Sequence, residues 1–286
     1  MKLDSYNLIN MSKIGPKGLY KVTANKIKSL LRTNTNLNYE FDFEIYLQGS
    51  YKNSTNTQHS DIDVIVQLHK IKDRNLQNKY IKREERWSYF KSKVENELIY
   101  IFGRENIISG NKAIKIDDKI FHCTIDILPC LEVYHYNYLN DNVYESINFW
   151  TKNDFRQIKH FPKLHFKNGI IKQKDTNNLY KPTIRLFKNI RLLLIENNLI
   201  DREDISSYFI ECLLSNIPSS LFSKNIEQNL ISITKYLTKA KLETFLHQHK
   251  ISKLIGESPE QLQMHNAKLF IQHLEELILN DSNISS

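Results

Sequence analysis

The chain is poor in the residues that break or staple structure. Only 7 glycines and 6 prolines punctuate 286 residues, which excludes a collagen-like repeat and a linker-dominated architecture. Its three cysteines, Cys123, Cys130 and Cys212, show no C-x-x-C spacing and cannot all pair. A disulfide framework is therefore not expected, nor is zinc held by Cys123, Cys130 and His122, and buried thiols are the simpler reading. No apolar run approaches the roughly 20 residues that span a bilayer; the runs present are short pieces such as "IRLLLI". The opening "MKLDSYNLINMSKIG" carries polar residues where a secretory signal needs an apolar block. The expectation is a cytoplasmic protein with no membrane partner. No internal repeat is visible, and an excess of Asn, Lys and Ile is spread along the whole chain without marking a site.

What is present is a foldable core. A hydrophobic share of 41% and an aromatic share of 11% argue against disorder. The length suits one large domain or two lobes, because single cores seldom grow beyond roughly 250 to 300 residues. A formal net charge of +8 favours anionic partners such as nucleotides or nucleic acid without choosing between them.

The periodicity changes along the chain. Residues 17 to 32, "KGLYKVTANKIKSLLR", have a helical apolar face, whereas "FDFEIYL" (41 to 47) alternates as a strand and "DIDVIVQL" (61 to 68) reads as a more buried strand. Residues 82 to 102 predict a helix with a charged face, and 112 to 128 a hairpin turning at Asp117-Asp118-Lys119. From Thr183 onward the pattern is helical: "TIRLFKNIRLLLIENN", "ISSYFIECLLSN", a segment near 225 to 240, and a last helix opening at Ser258, Pro259 and Glu260. The stretch 160 to 169, "HFPKLHFKNG", reads as a connector or a substrate-facing loop, and no carboxylate spacing supports His160 or His165 as metal ligands. An α+β first half, 1–150, and a helical second half, 151–286, are thus expected.

The chemistry is concentrated in "YLQGSYKNSTNTQHSDIDVIVQL", residues 46 to 68. Side chains alternate faces along a strand, so Asp61 and Asp63 project together while Ile62 and Val64 enter the core. Two carboxylates that close repel unless a hard cation such as Mg2+ lies between them or one is neutralised. Asp126, in "CTIDIL", has the same alternating register, with Ile125 and Ile127 facing the other way. Three acidic groups on neighbouring strands suit two divalent ions about 3.5 to 4 Å apart, the arrangement that clamps both oxygens in phosphoryl transfer. Gly49 lets the backbone approach a ligand, and Ser50 offers a hydroxyl and an N–H at a short helix start to cradle phosphate. Taken singly these signals are weak: an isolated D-x-D is more often a solvated edge. Lys181, Arg185 and Lys188, at i, i+4 and i+7, read either as a solvated face or as phosphate contacts, and Tyr208 either as a boundary aromatic or as a base-stacking ring.

In combination, "GSYKNSTNTQHSDIDVIV" followed by "TIDILP" resembles the signature of the polymerase-beta-like nucleotidyltransferase superfamily, and specifically its bacterial cGAS/DncV-like branch, the CD-NTases. "PTIRLFKNIRLLL" and "SSYFIECLL" resemble the lysine-bearing helix and the Ser-Tyr segment of that branch, so the likeness extends over roughly residues 17 to 215. It implies a two-lobed fold: a mixed-sheet catalytic lobe with an N-terminal spine helix, and a C-terminal helical lobe completing a nucleotide cleft. It further implies Asp61, Asp63 and Asp126 as ligands of two Mg2+ ions, for which Mn2+ can substitute, with Asp126 helping to activate the attacking hydroxyl. Gln48, Gly49 and Ser50 fall on the nucleotide-binding side. Lys188 would reach the donor triphosphate, Ser207 would hydrogen-bond it, and Tyr208 would stack on the donor base. The implied activity joins NTPs into a cyclic di- or trinucleotide second messenger read by a separate effector in antiphage signalling, with the enzyme a monomer that requires no nucleic acid. The alternative is a template-independent RNA or tRNA nucleotidyltransferase.

Overall fold

The structure, a computed structural model, describes residues 4–16, 18–33, 35–58, 60–72, 82–118, 123–137, 141–258 and 260–280. The chain forms two compact units: a sheet unit of Pro16–Lys52 and Ser60–Pro162, and a helical unit of Met1–Gly15, Asn53–His59 and Lys163–Ser286. The division is not a single cut at residue 150. Strand pairing carries the sheet unit on to residue 160, and Asn53–Gln58 groups with the helices.

In the sheet unit, α2 (Gly18–Thr33) and α3 (Thr35–Glu40) lead into β1 (Phe41–Gln48), which passes directly into the five-residue helix α4 (Gly49–Asn53). After β2 (Ile62–Ile71) come α5 (Arg83–Phe102), β3 (Ile107–Ser109), β4 (Ile114–Asp118), β5 (Cys123–Asn137), β6 (Asn142–Trp150) and β7 (Gln157–His160). The strand order is β1-β2-β5-β4-β3, with β6 on β5 and β7 on β6. β1 is antiparallel to β2, whereas β2 is parallel to β5, so the sheet is mixed, as expected. The apolar run predicted to be buried is buried: Ile62, Val64, Ile65, Val66 and Leu68 lie in the core against Trp87, Phe90, Val94 and Leu98 of α5. Ile27 and Leu31 supply the inward face of α2. β6 and β7 are not evident from sequence because their apolar residues are few and crowd at Ile147, Phe149 and Trp150 with Ile158; Ile147 pairs with β5, and Phe149 and Trp150 pair with β7, where all four are buried. Residues 119 to 122 of the expected hairpin, and with them His122, lie outside the described residues. Cys130 is buried, its thiol directed at the Val66 carbonyl at 3.7 Å.

The helical unit contains α1 (Ser5–Ser12), α6 (Pro162–Asp175), α7 (Tyr180–Glu196), α8 (Ser207–Ser215), α9 (Ile226–Leu237) and α10 (Met264–Glu275). Its core joins Phe187 and Ile190 of α7, Phe209 and Leu213 of α8, Leu230 and Ile233 of α9, and Phe270 and Leu274 of α10. Two expectations are corrected here. The stretch 160 to 169 is not a connector: Pro162 opens α6, and Gly169 sits inside it because Gln248 Nε2 lies only 2.6 Å from where a Cβ would stand. The last helix does not begin at Ser258. Ser258 and Gln261 close a turn through the Gln261 N–H to the Ser258 carbonyl, Leu262 bridges to Ile255, and helix starts only after the N-cap Gln263. Pro259 lies outside the described residues. Among the described residues no helix is long and apolar enough to cross a membrane.

Candidate active site

Six of the nine sequence-predicted residues fall in the sheet unit, and the sheet register brings three of them, Gln48, Asp63 and Asp126, side by side. Gln48, the last residue of β1, stands opposite Asp63, and on the other side of β2 Asp63 stands opposite Asp126 of β5. Asp61 immediately precedes β2 and is exposed, while Ile62 and Val64 are buried, as strand alternation requires. Gly49 follows Gln48 with φ +66, in the left-handed region that glycine occupies without strain. A Cβ at Gly49 would stand 2.8 Å from Cγ of Asp63. The glycine is therefore what lets the backbone turn pass directly against the acidic strand. Ser50 continues from it into α4, the short helix start that the sequence suggested.

The electrostatics of the acidic group are those of a site wanting positive charge. Burial raises the Asp126 carboxyl above its ordinary pKa; Lys115 opposes the shift and Asp61 adds to it. The Lys115 ammonium is 3.9 Å from Asp126 Oδ1, beyond hydrogen-bond reach, and that buried oxygen has no hydrogen-bond partner. Among the described residues no three Asp, Glu, His or Cys side chains are gathered tightly enough to form a finished metal cage. The donor set nevertheless fits a hard divalent ion: oxygen ligands only, Asp63 and Asp126 side by side, and a buried carboxylate oxygen without a partner.

The other three predicted residues belong to the helical unit. Ser207 is the exposed first residue of α8, whose N-cap is Ser206, with the Ser206 side chain accepting from the Phe209 N–H. Tyr208 is half-buried at the edge of the helical core, stacked on His165 at 5.1 Å between ring centroids and 5.8 Å from the ring of His247. Burial raises its phenol pKa, and the neighbouring Cys212 adds to the shift. Lys188 is 3% exposed. Its ammonium donates to Glu211 Oε1 at 2.6 Å and to the Thr55 carbonyl at 3.2 Å, so in this structure it faces a carboxylate and a loop. Nor is the basic stripe on α7 a solvated face: Arg185 is also buried, donating to the carbonyls of Ser12 and Ser54.

The residue that sequence reasoning missed is Glu211. It is 3% exposed and accepts from Lys188, His165 Nε2, Asn53 Nδ2 and the Thr55 hydroxyl. Burial by itself would raise its carboxyl pKa, but the Lys188 charge and the His165 hydrogen bond outweigh that and hold it well below the ordinary range. The signal was available: a carboxylate inside the apolar run "YFIECLL" is seldom buried unless paired.

The chain is similar to known proteins. Residues 26–149 match the nucleotidyltransferase domain family, and residues 167–279 match the family described as cGAS/DncV-like nucleotidyltransferase C-terminal helical domain. The cyclic nucleotide synthase CdnE01 of Staphylococcus haemolyticus is 36% identical over 95% of this chain and 97% of its own length. The cyclic UMP-AMP synthase of Rhodothermus marinus is 36% identical over 82% of this chain and 84% of its own. The solved structure of the Rhodothermus marinus CdnE c-UMP-AMP synthase, with Apcpp and Upnpp, superposes with a TM-score of 0.84 at 32% identity, covering 99% of both chains.

Proposed function

Because the chain belongs to the cGAS/DncV-like nucleotidyltransferases, we propose that this nucleotidyltransferase joins NTPs into a cyclic di- or trinucleotide, each joining step releasing pyrophosphate. The observation that carries the reading is the register of the sheet: Asp63 beside Asp126, with Gly49 turning against Asp63. The product names of the relatives, cyclic UMP-AMP among them, favour a dinucleotide.

Asp61, Asp63 and Asp126 would hold two Mg2+ ions, or Mn2+ in their place. When bound, such ions neutralise charge on the attacking and leaving oxygens of an in-line displacement. The chain's own residues do the rest. Gln48, Gly49 and Ser50 would offer side chains and backbone N–H groups to the triphosphate, the absence of a Cβ at Gly49 letting the turn lie against Asp63. Asp126, whose Oδ1 is buried without a hydrogen-bond partner, would besides ligating metal help to activate the attacking hydroxyl. Ser207, exposed at the start of α8, would hydrogen-bond the donor triphosphate, and Tyr208 would stack on its base. A direct triphosphate contact for Lys188 would require its ammonium to leave Glu211, so its role is read as indirect. The wider setting proposed is a cytoplasmic monomer that needs no nucleic acid, whose product is read by a separate effector in antiphage signalling.

The test is to incubate the purified protein with labelled NTPs and Mg2+ or Mn2+, treat with phosphatase, and weigh the products by mass spectrometry. A cyclic product has no terminal phosphate, survives the phosphatase, and has the mass of its NMP units each less one water. Ladders on an added RNA, with no resistant small species, would reassign the protein as a tailing enzyme.

A further inference from the structure

Of the sequence between the phosphate turn and the acidic strand, residues Asn53–Gln58 pack with the helical unit although Lys52 and Ser60 belong to the sheet unit. Its hold there is dense. The Asn53 amide and the Thr55 hydroxyl both donate to Glu211. The Ser54 carbonyl accepts from Arg185 at 2.6 Å, the Thr55 carbonyl from Lys188 at 3.2 Å, and the Asn56 carbonyl from the Gly15 N–H at 3.0 Å. Four consecutive residues are thus fastened. Thr55, Asn56 and Thr57 are buried, and Ser54 is held at φ +58, an uncommon conformation for a residue with a Cβ. A loop whose only task is to connect β1 to β2 needs none of this, since connections ordinarily run solvated over the surface.

We propose that Glu211, Lys188 and Arg185 form a clamp on Asn53–Thr55, with Glu211 its central positioning residue for nucleotidyl transfer; this rests on the function proposed above. The clamped residues are the covalent bridge from Gly49-Ser50 to Asp61-Asp63. Fixing their middle limits how far the phosphate turn and the metal-binding carboxylates drift from one another, and reacting groups misplaced by about 1 Å lose on the order of a hundredfold in rate. Glu211 suits the task because one ionised carboxylate accepts several hydrogen bonds at once, here from Lys188, His165, Asn53 and Thr55, and hydrogen bonds to an ionised group are the stronger kind. The stripe of basic residues on α7 is accounted for in the same way: Arg185 and Lys188 are cations that hold backbone carbonyls of the loop.

The double variant Asn53→Ala, Thr55→Val removes two loop donors while leaving the Lys188–Glu211 pair in place, so the helical core keeps its buried charges matched. Glu211→Gln, which also unpairs Lys188, is the harsher companion. In the double variant, hydrogen exchange should accelerate in residues 53 to 59 and little elsewhere. kcat per folded molecule should fall at least tenfold, while KM for NTP moves less than threefold. Unchanged exchange in the loop would overturn the clamp. Faster exchange with kcat per folded molecule within twofold of wild type would overturn its positioning role. A wild-type protein that turns over no NTP would overturn the function reading instead, and the exchange measurement would still decide whether the clamp exists.

Discussion

Replacing Gly49 by alanine tests the join between the phosphate turn and the acidic strand. Gly49 has φ +66, and an L-residue held there costs about 1–2 kcal/mol. The new methyl carbon would stand 2.8 Å from Asp63 Cγ and 3.2 Å from Asp63 Cβ, whereas carbons rest comfortably at about 3.5–4.0 Å. The Asp63 carboxylate must therefore swing aside by about 1 Å. If it holds a metal ion, that displacement should reduce turnover on the order of a hundredfold, with an unfolding free energy lower by only about 1–3 kcal/mol. Gly103→Ala is the matched control. It has φ +85 in the same unit, and its added Cβ would meet the side chain of Glu105, an exposed residue that can rotate away. The control should lose comparable stability and keep its turnover per folded molecule. The assay is pyrophosphate release at saturating Mg2+, set beside urea denaturation of each variant. Gly49→Ala working within threefold of wild type, or the two variants losing turnover in step, would refute the reasoning.

Two further outcomes are expected. Asp61→Asn and Asp63→Asn should each abolish product formation while leaving the urea midpoint within experimental spread, and the double variant should be no worse than either, because groups that act as a unit are not additive; near-wild-type turnover at saturating metal would remove these residues from the site. His247 is 2% exposed, and its pKa is lowered from 6.5 to about 4 by burial and by the neighbouring His165. The unfolded chain takes up this proton near pH 6.5 and the folded one only near 4, so the contribution is intact above pH 6.5 and declines as pH falls to 4, by about 3 kcal/mol. Urea denaturation at several pH values should show that slope flattened in His247→Gln, and an unchanged slope would exclude His247 as its source.

How much of the protein its sequence determined differs from one element to the next. Asp61, Asp63 and Asp126 were legible because strand alternation is local: Ile62, Val64, Ile125 and Ile127 fix the inward face, and the aspartates take the other. Gly49-Ser50 was legible because a chain with 7 glycines places one at the end of an apolar strand. The helices of the second half announced themselves through their apolar period, and Pro162–Asp175 escaped because its glycine answers to Gln248, 79 residues away. What only the tertiary structure decided was pairing at long range. That Asp126 comes beside Asp63 depends on β2 and β5 running parallel, a choice no local pattern contains. Whether Arg185 and Lys188 face water, phosphate or protein depended on a carboxylate at 211 and on carbonyls at 54 and 55. Sequence spacing shows which side of a helix a charge lies on, but its partner is set by burial, because a charge withdrawn from water must find an opposite charge or a hydrogen bond wherever the fold supplies one.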